Sequence, residues 1–125
     1  MSQQQARTGI AVLSGVLAVG CAVMAIAHAG VEVPLLSQLG PGGNDPVWPA
    51  VIAFSIGALV LAFVAIGASR ARAWAWALGL VVHALIVLFA LLPFRGVGSA
   101  VAIIISVASV ALLLSRAGRA SLLPA

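Results

Sequence analysis

Few side chains in this sequence can do acid–base, nucleophilic or metal chemistry. The chain holds two histidines, His28 and His83, one cysteine, Cys21, and two carboxylates, Glu32 and Asp45. His83 lies near the middle of a long apolar run. An ionisable group at membrane depth is costly and marks a functional position by default. Its imidazole could relay protons or ligate a metal or haem. A plainer role competes with these: a neutral ring hydrogen-bonded to a serine on a neighbouring helix or to a backbone carbonyl. Ser14, Ser55 and Ser106 could serve, and no carboxylate accompanies the ring, so the plainer role is favoured.

The other groups point the same way. His28 falls at the outer end of its run and His83 about eight residues deeper than that, an offset of about 12 Å along helices. Two axial ligands of one haem need similar depth, so the pair does not read as a haem site, and no cofactor or metal is expected. Glu32 and Asp45 both lie in one connecting loop, where solvated or capping roles are expected rather than paired-carboxylate catalysis. Cys21 has no second cysteine for a disulfide or a redox pair and reads as a packing residue. No catalytic residues are assigned, and the chain reads as a non-enzyme. His83 and Arg95 remain the candidate functional polar residues.

The elements that carry these groups follow from composition. The chain has 125 residues, 64% hydrophobic and 6% charged. Soluble domains carry about 25% charged residues, and disordered chains need low hydrophobicity and high charge. Both classes are excluded, and a polytopic membrane protein remains. Four apolar runs cover about residues 9–29, 49–68, 73–92 and 98–114. Crossing a hydrocarbon core of ~30 Å takes about 20 helical residues. Continuous apolar runs of this length are helices, because backbone groups in lipid must be satisfied within the segment. The expectation is an all-α, single-domain, four-helix transmembrane bundle. Ala27-His28-Ala29 fits a cleavage signal, but its apolar run is longer than a signal core, so the first helix reads as a retained span.

Orientation follows from the six arginines. Arg7 precedes the first run, Arg70 and Arg72 lie between the second and third, and Arg116 and Arg119 follow the fourth. Arg95 alone falls on the other side. Positive residues gather on the cytoplasmic side, so the expected topology is N-in/C-in. The long connection, about residues 30–48, is then external and carries both carboxylates. Asp45 could pair there with Arg95, whose functional reading is a contact with a lipid headgroup or a partner subunit and whose plainer reading is an interfacial side chain snorkelling to water. Trp48 is expected at the outer interface, and Trp74 and Trp76 at the inner one. The basic balance marks topology rather than a nucleic-acid surface, since the arginines flank apolar runs instead of clustering on a water-facing element.

Helices in lipid associate through small residues and polar contacts. Stripes at i, i+4 spacing nominate Ser14, Ala18 and Ala22 on the first helix. The same spacing gives Ala75 and Gly79 on the third, and Gly98, Ala102 and Ser106 on the fourth. Comparison with small membrane families turns on missing chemistry. Small multidrug transporters depend on a glutamate in the first helix, and residues 9–29 contain none. Dual-topology fluoride channels carry a Phe-rich filter that this chain lacks, and quinone-linked thiol oxidoreductases need paired cysteines. In composition the chain is similar to short Ala/Val/Leu/Arg-rich four-helix proteins of high-GC bacteria. The functional expectation is an accessory or structural subunit of a larger complex in the bacterial inner (plasma) membrane. Its partners would be membrane lipids, other membrane subunits or further copies of itself. The alternatives are a small transporter or proton-coupled carrier working through His83 and, remotely, a haem- or quinone-associated subunit.

Overall fold

A computed structural model describes residues 1–31 and 46–124 of the chain. Among these residues the secondary structure is five α-helices: α1 (Gln3–His28), α2 (Trp48–Ser69), α3 (Trp74–Leu91), α4 (Val97–Leu114) and α5 (Arg116–Leu122). The first four are long and apolar enough to cross a membrane, and they form an all-α, integral-membrane four-helix bundle. Glu32 and Asp45 lie outside the described residues, as does any pairing of Asp45 with Arg95.

α1 begins earlier than its apolar run because Ser2 and Gln5 form a capping box. The Ser2 hydroxyl accepts from the Gln5 amide at 3.1 Å, and the Ser2 amide donates to Gln5 Oε1 at 2.9 Å. Two otherwise orphaned amides are satisfied, so the polar segment before Gly9 winds as helix. α1 has 26 residues, or about 39 Å, so it overhangs a hydrocarbon core of ~30 Å by about one and a half turns.

α2 starts on Trp48-Pro49, where a ring with no amide proton costs nothing. Its C-terminus is a Schellman turn. The Arg72 amide donates to the Gly67 carbonyl at 2.8 Å and the Ala71 amide to the Ala68 carbonyl at 3.0 Å. Ala71 sits at φ 54°, in the left-handed position that glycine usually takes.

Each helix packs on its neighbours in chain order, and α1 closes the ring against α4. The result is an up-down-up-down bundle. Its two ends are well defined. The Val47 amide donates to the His28 carbonyl at 2.8 Å and ties the start of α2 to the end of α1. At the opposite end, Ile10, Ala68, Ala75, Leu113 and Leu122 form one buried cluster. A second cluster in the middle joins Leu17, Ala18, Leu61, Val64 and Val82.

α5 lies outside the sequence expectation, which leaves residues after Leu114 as a tail. Ser115 is extended (φ −62°, ψ 156°) and turns the chain. Its hydroxyl donates to the Leu112 carbonyl at 2.6 Å and accepts from the Gly118 amide at 3.0 Å. The turn is tight enough that a Cβ on Gly118 would fall 1.8 Å from the Leu112 carbonyl oxygen. The fold back seats Leu122 in the core, against the start of α1.

Two nominated packing residues need correction. Ala22 and Gly98 are exposed. Rows at i, i+4 drift about 40° per step on a helix of 3.6 residues per turn. On α1 the buried arc holds Ile10, Ser14, Leu17, Ala18 and Ala25, and the step from Ala18 to Ala22 walks off it. On α4 the buried line is Ser99, Ser106 and Leu113 at spacing seven, with Ser109 beside it. Gly98 lies at the edge of that arc in the first turn, while Ala102 is half-buried. Ala75 and Gly79 are buried on α3, and a Cβ on Gly79 would meet Leu113 Cδ1 at 3.1 Å.

Candidate functional site

α3 carries His83 one turn beyond Gly79, on the same buried face as Ala75. The close approach that Gly79 permits to α4 brings the ring within reach of that helix. His83 is completely buried, as are Ser14 and Ser106. The Ser14 hydroxyl lies 3.0 Å from Nε2 and the Ser106 hydroxyl 3.3 Å from Nδ1. One side chain thus joins α1, α3 and α4 at the centre of the bundle. Ser55, also available by sequence, is not a partner of the ring.

A neutral imidazole has one N–H donor and one lone pair, and a hydroxyl can both donate and accept. The chain Ser14–His83–Ser106 therefore has two equivalent polarities. In one, Ser14 donates to Nε2 and Nδ1–H donates to Ser106. In the other, both bonds reverse with the tautomer. Either way both ring nitrogens are engaged inside the bundle.

His28 belongs to a different environment. Its Nδ1 lies 2.7 Å from the Met24 carbonyl. A carbonyl only accepts, so Nδ1 carries the proton. The ring stacks on Phe54 of α2 with centroids 5.2 Å apart and an interplanar angle of 28°. The structure thus gives the two histidines separate partners. Among the described residues no group of three or more His, Cys, Asp or Glu side chains converges on a metal position. Cys21 is half-buried in α1, where its sulfur faces Gly57 of α2.

Arg95 is exposed at the α3–α4 turn, and its amide donates to the Ser99 hydroxyl at 2.9 Å. Its role in the structure is thus to start α4 through its backbone. The other five arginines all lie at the opposite end of the bundle, where α1 begins, α2 passes to α3, and α4 passes to α5. No carboxylate side chain occurs among the described residues. Trp76 lies at this end too, but it is half-buried. Its indole N–H donates to the Leu113 carbonyl at 2.8 Å, which satisfies an acceptor that the end of α4 leaves open. Sequence reasoning places Trp76 with Trp74 at the interface. The signal for its inward face is the helical spacing that puts Trp76 one turn before Gly79 and Leu80 and two turns before His83.

Comparison with protein-family models, with curated proteins and with solved structures finds no match.

Proposed function

We propose that this chain is a non-enzymatic accessory or structural subunit of a larger membrane complex. It would sit in a bacterial inner membrane with its arginine-rich end cytoplasmic, the side where positive residues gather. The observation that carries the reading is the use of His83. The ionisable group at the centre of the bundle spends both ring nitrogens on Ser14 and Ser106, so it clasps helices together and offers no free atom to a substrate. The bundle's outer surface supports the same reading. Phe63, Phe89, Ile104 and Val19 are among many large apolar side chains turned outward, and such a surface suits neighbouring helices as well as lipid. Purification from native membranes in mild detergent tests it. A stoichiometric second protein in the native mass spectrum is expected, and a chain that always runs alone would overturn the reading.

A second reading draws on the same three side chains. A hydrogen-bonded Ser–His–Ser chain that can reverse its polarity is also a proton-passing element, as a proton-coupled carrier would need. His83→Leu separates the two. Retained assembly with lost growth or transport would favour the carrier, and retained assembly with no such loss would favour the subunit.

A further inference from the structure

We propose that the arginine-rich end of the bundle holds an anionic phospholipid in the groove between the start of α1 and the end of α2. The groove has a volume of about 270 Å³ and is lined by Gln4, Arg7, Thr8, Ala11, Val12 and Ser69. Its mouth is polar and cationic. Arg7 is half-buried, and its guanidinium donates to Gln4 Oε1. That bond holds the side chain against the helix and leaves further N–H donors for a ligand. Gln4 Nε2 in turn approaches the Thr8 hydroxyl at 3.5 Å, and Thr8 keeps its own proton to donate. A phosphodiester carries one negative charge and only accepts hydrogen bonds, which matches the remaining N–H groups of Arg7 and the Thr8 hydroxyl; the Ser69 hydroxyl, whose proton goes to the Ile66 carbonyl at 2.7 Å, takes no part.

The apolar side of the groove, half-buried Ala11 and exposed Val12, makes the occupant an amphiphile rather than a free ion. Ala11 and Val12 lie one turn beyond Arg7 and Thr8, in the direction of the membrane interior. Polarity therefore falls along the groove as it does along a lipid from phosphate to acyl chain. Charge selects the anionic class. Four further arginines share this end, and no carboxylate side chain occurs among the described residues. Clustered basic residues beside spans attract acidic headgroups. This inference does not depend on whether the bundle has a protein partner.

Native mass spectrometry of the protein released from mixed phosphatidylglycerol and phosphatidylcholine bilayers tests the site. The wild type is expected to retain phosphatidylglycerol at least 10-fold over phosphatidylcholine. Arg7→Gln is expected to lose that preference and Arg7→Lys to keep most of it. Val12→Trp, which crowds the apolar side of the groove and leaves every charge in place, is expected to lower retention at least 5-fold. Arg95→Gln, at the other end, is expected to change nothing. Helix content by circular dichroism shows that each variant is folded. Equal retention of both lipids by the wild type would overturn the proposal, as would an Arg7→Gln protein that retains phosphatidylglycerol like the wild type. Displacement of the lipid by millimolar inorganic phosphate alone would also overturn it, by showing an anion site indifferent to acyl chains.

Discussion

The Ser14 hydroxyl meets Nε2 of His83 at 3.0 Å, so α1 and α3 are joined across the diagonal of a bundle whose main packing is between neighbours. Buried polar contacts between helices in lipid contribute about 1 kcal/mol, and an orphaned buried partner costs more than a deleted pair. Ser14→Ala should therefore destabilise the bundle by about 1–2 kcal/mol, measured by denaturant titration in micelles. The combined Ser14→Ala, His83→Leu, Ser106→Ala protein, which removes every polar member, should be nearer the wild type than Ser14→Ala alone. Additive losses across the three positions would show that the chain of bonds does not act as a unit.

The turn into α5 depends on a missing side chain. A Cβ at Gly118 would overlap the Leu112 carbonyl, and backbone cannot yield as a flexible side chain can. Gly118→Ala should open the Ser115 turn and lift Leu122 from the core. A cysteine introduced as Leu122→Cys, in a Cys21→Ala background, should react slowly with maleimide when Gly118 is intact and at least 10-fold faster with Gly118→Ala. Gly98→Ala meets open space and should be neutral or stabilise by about 0.5 kcal/mol.

The four spans were legible because lipid permits so few backbone solutions. Sequence boundaries for α2, α3 and α4 fall within one residue of the observed ends. The early start of α1 was written in Ser2 and Gln5, a polar cap that an apolar-run criterion passes over. α5 was hidden because seven residues of mixed polarity carry no span signal. Its evidence was Ser115 at a capping position with Gly118 three residues on. The histidine site was legible as residue types, a buried ring and candidate serines. Which serines it meets was not, because small-residue spacing fixes a face only to within tens of degrees. Ala22 and Gly98 were misplaced for that reason.

Ala71 holds the α2–α3 turn at φ 54°. A left-handed backbone costs a non-glycine residue about 1–2 kcal/mol through its Cβ, partly offset in glycine by lost chain entropy. Ala71→Gly should therefore raise stability by about 0.5–1 kcal/mol in the same micelle titration. Ala71→Val should lower it, since a β-branched side chain fits that region worst. A neutral glycine would mean that the turn relaxes without its Cβ strain.

The arginine distribution makes a prediction about sidedness. Arg7, Arg70, Arg72, Arg116 and Arg119 share one end and Arg95 stands at the other, and the positive-inside rule predicts the five to be cytoplasmic. Single cysteines in a Cys21→Ala background can report this. Ala73→Cys and Ala120→Cys probe the arginine-rich end and Phe94→Cys the other, and all three positions are exposed. A membrane-impermeant maleimide added to intact cells should label Phe94→Cys, and should reach the other two only after permeabilisation. The reverse pattern would invert the topology and move the proposed lipid groove to the outer leaflet. Labelling of all three in intact cells would show dual insertion, which a five-to-one arginine bias argues against.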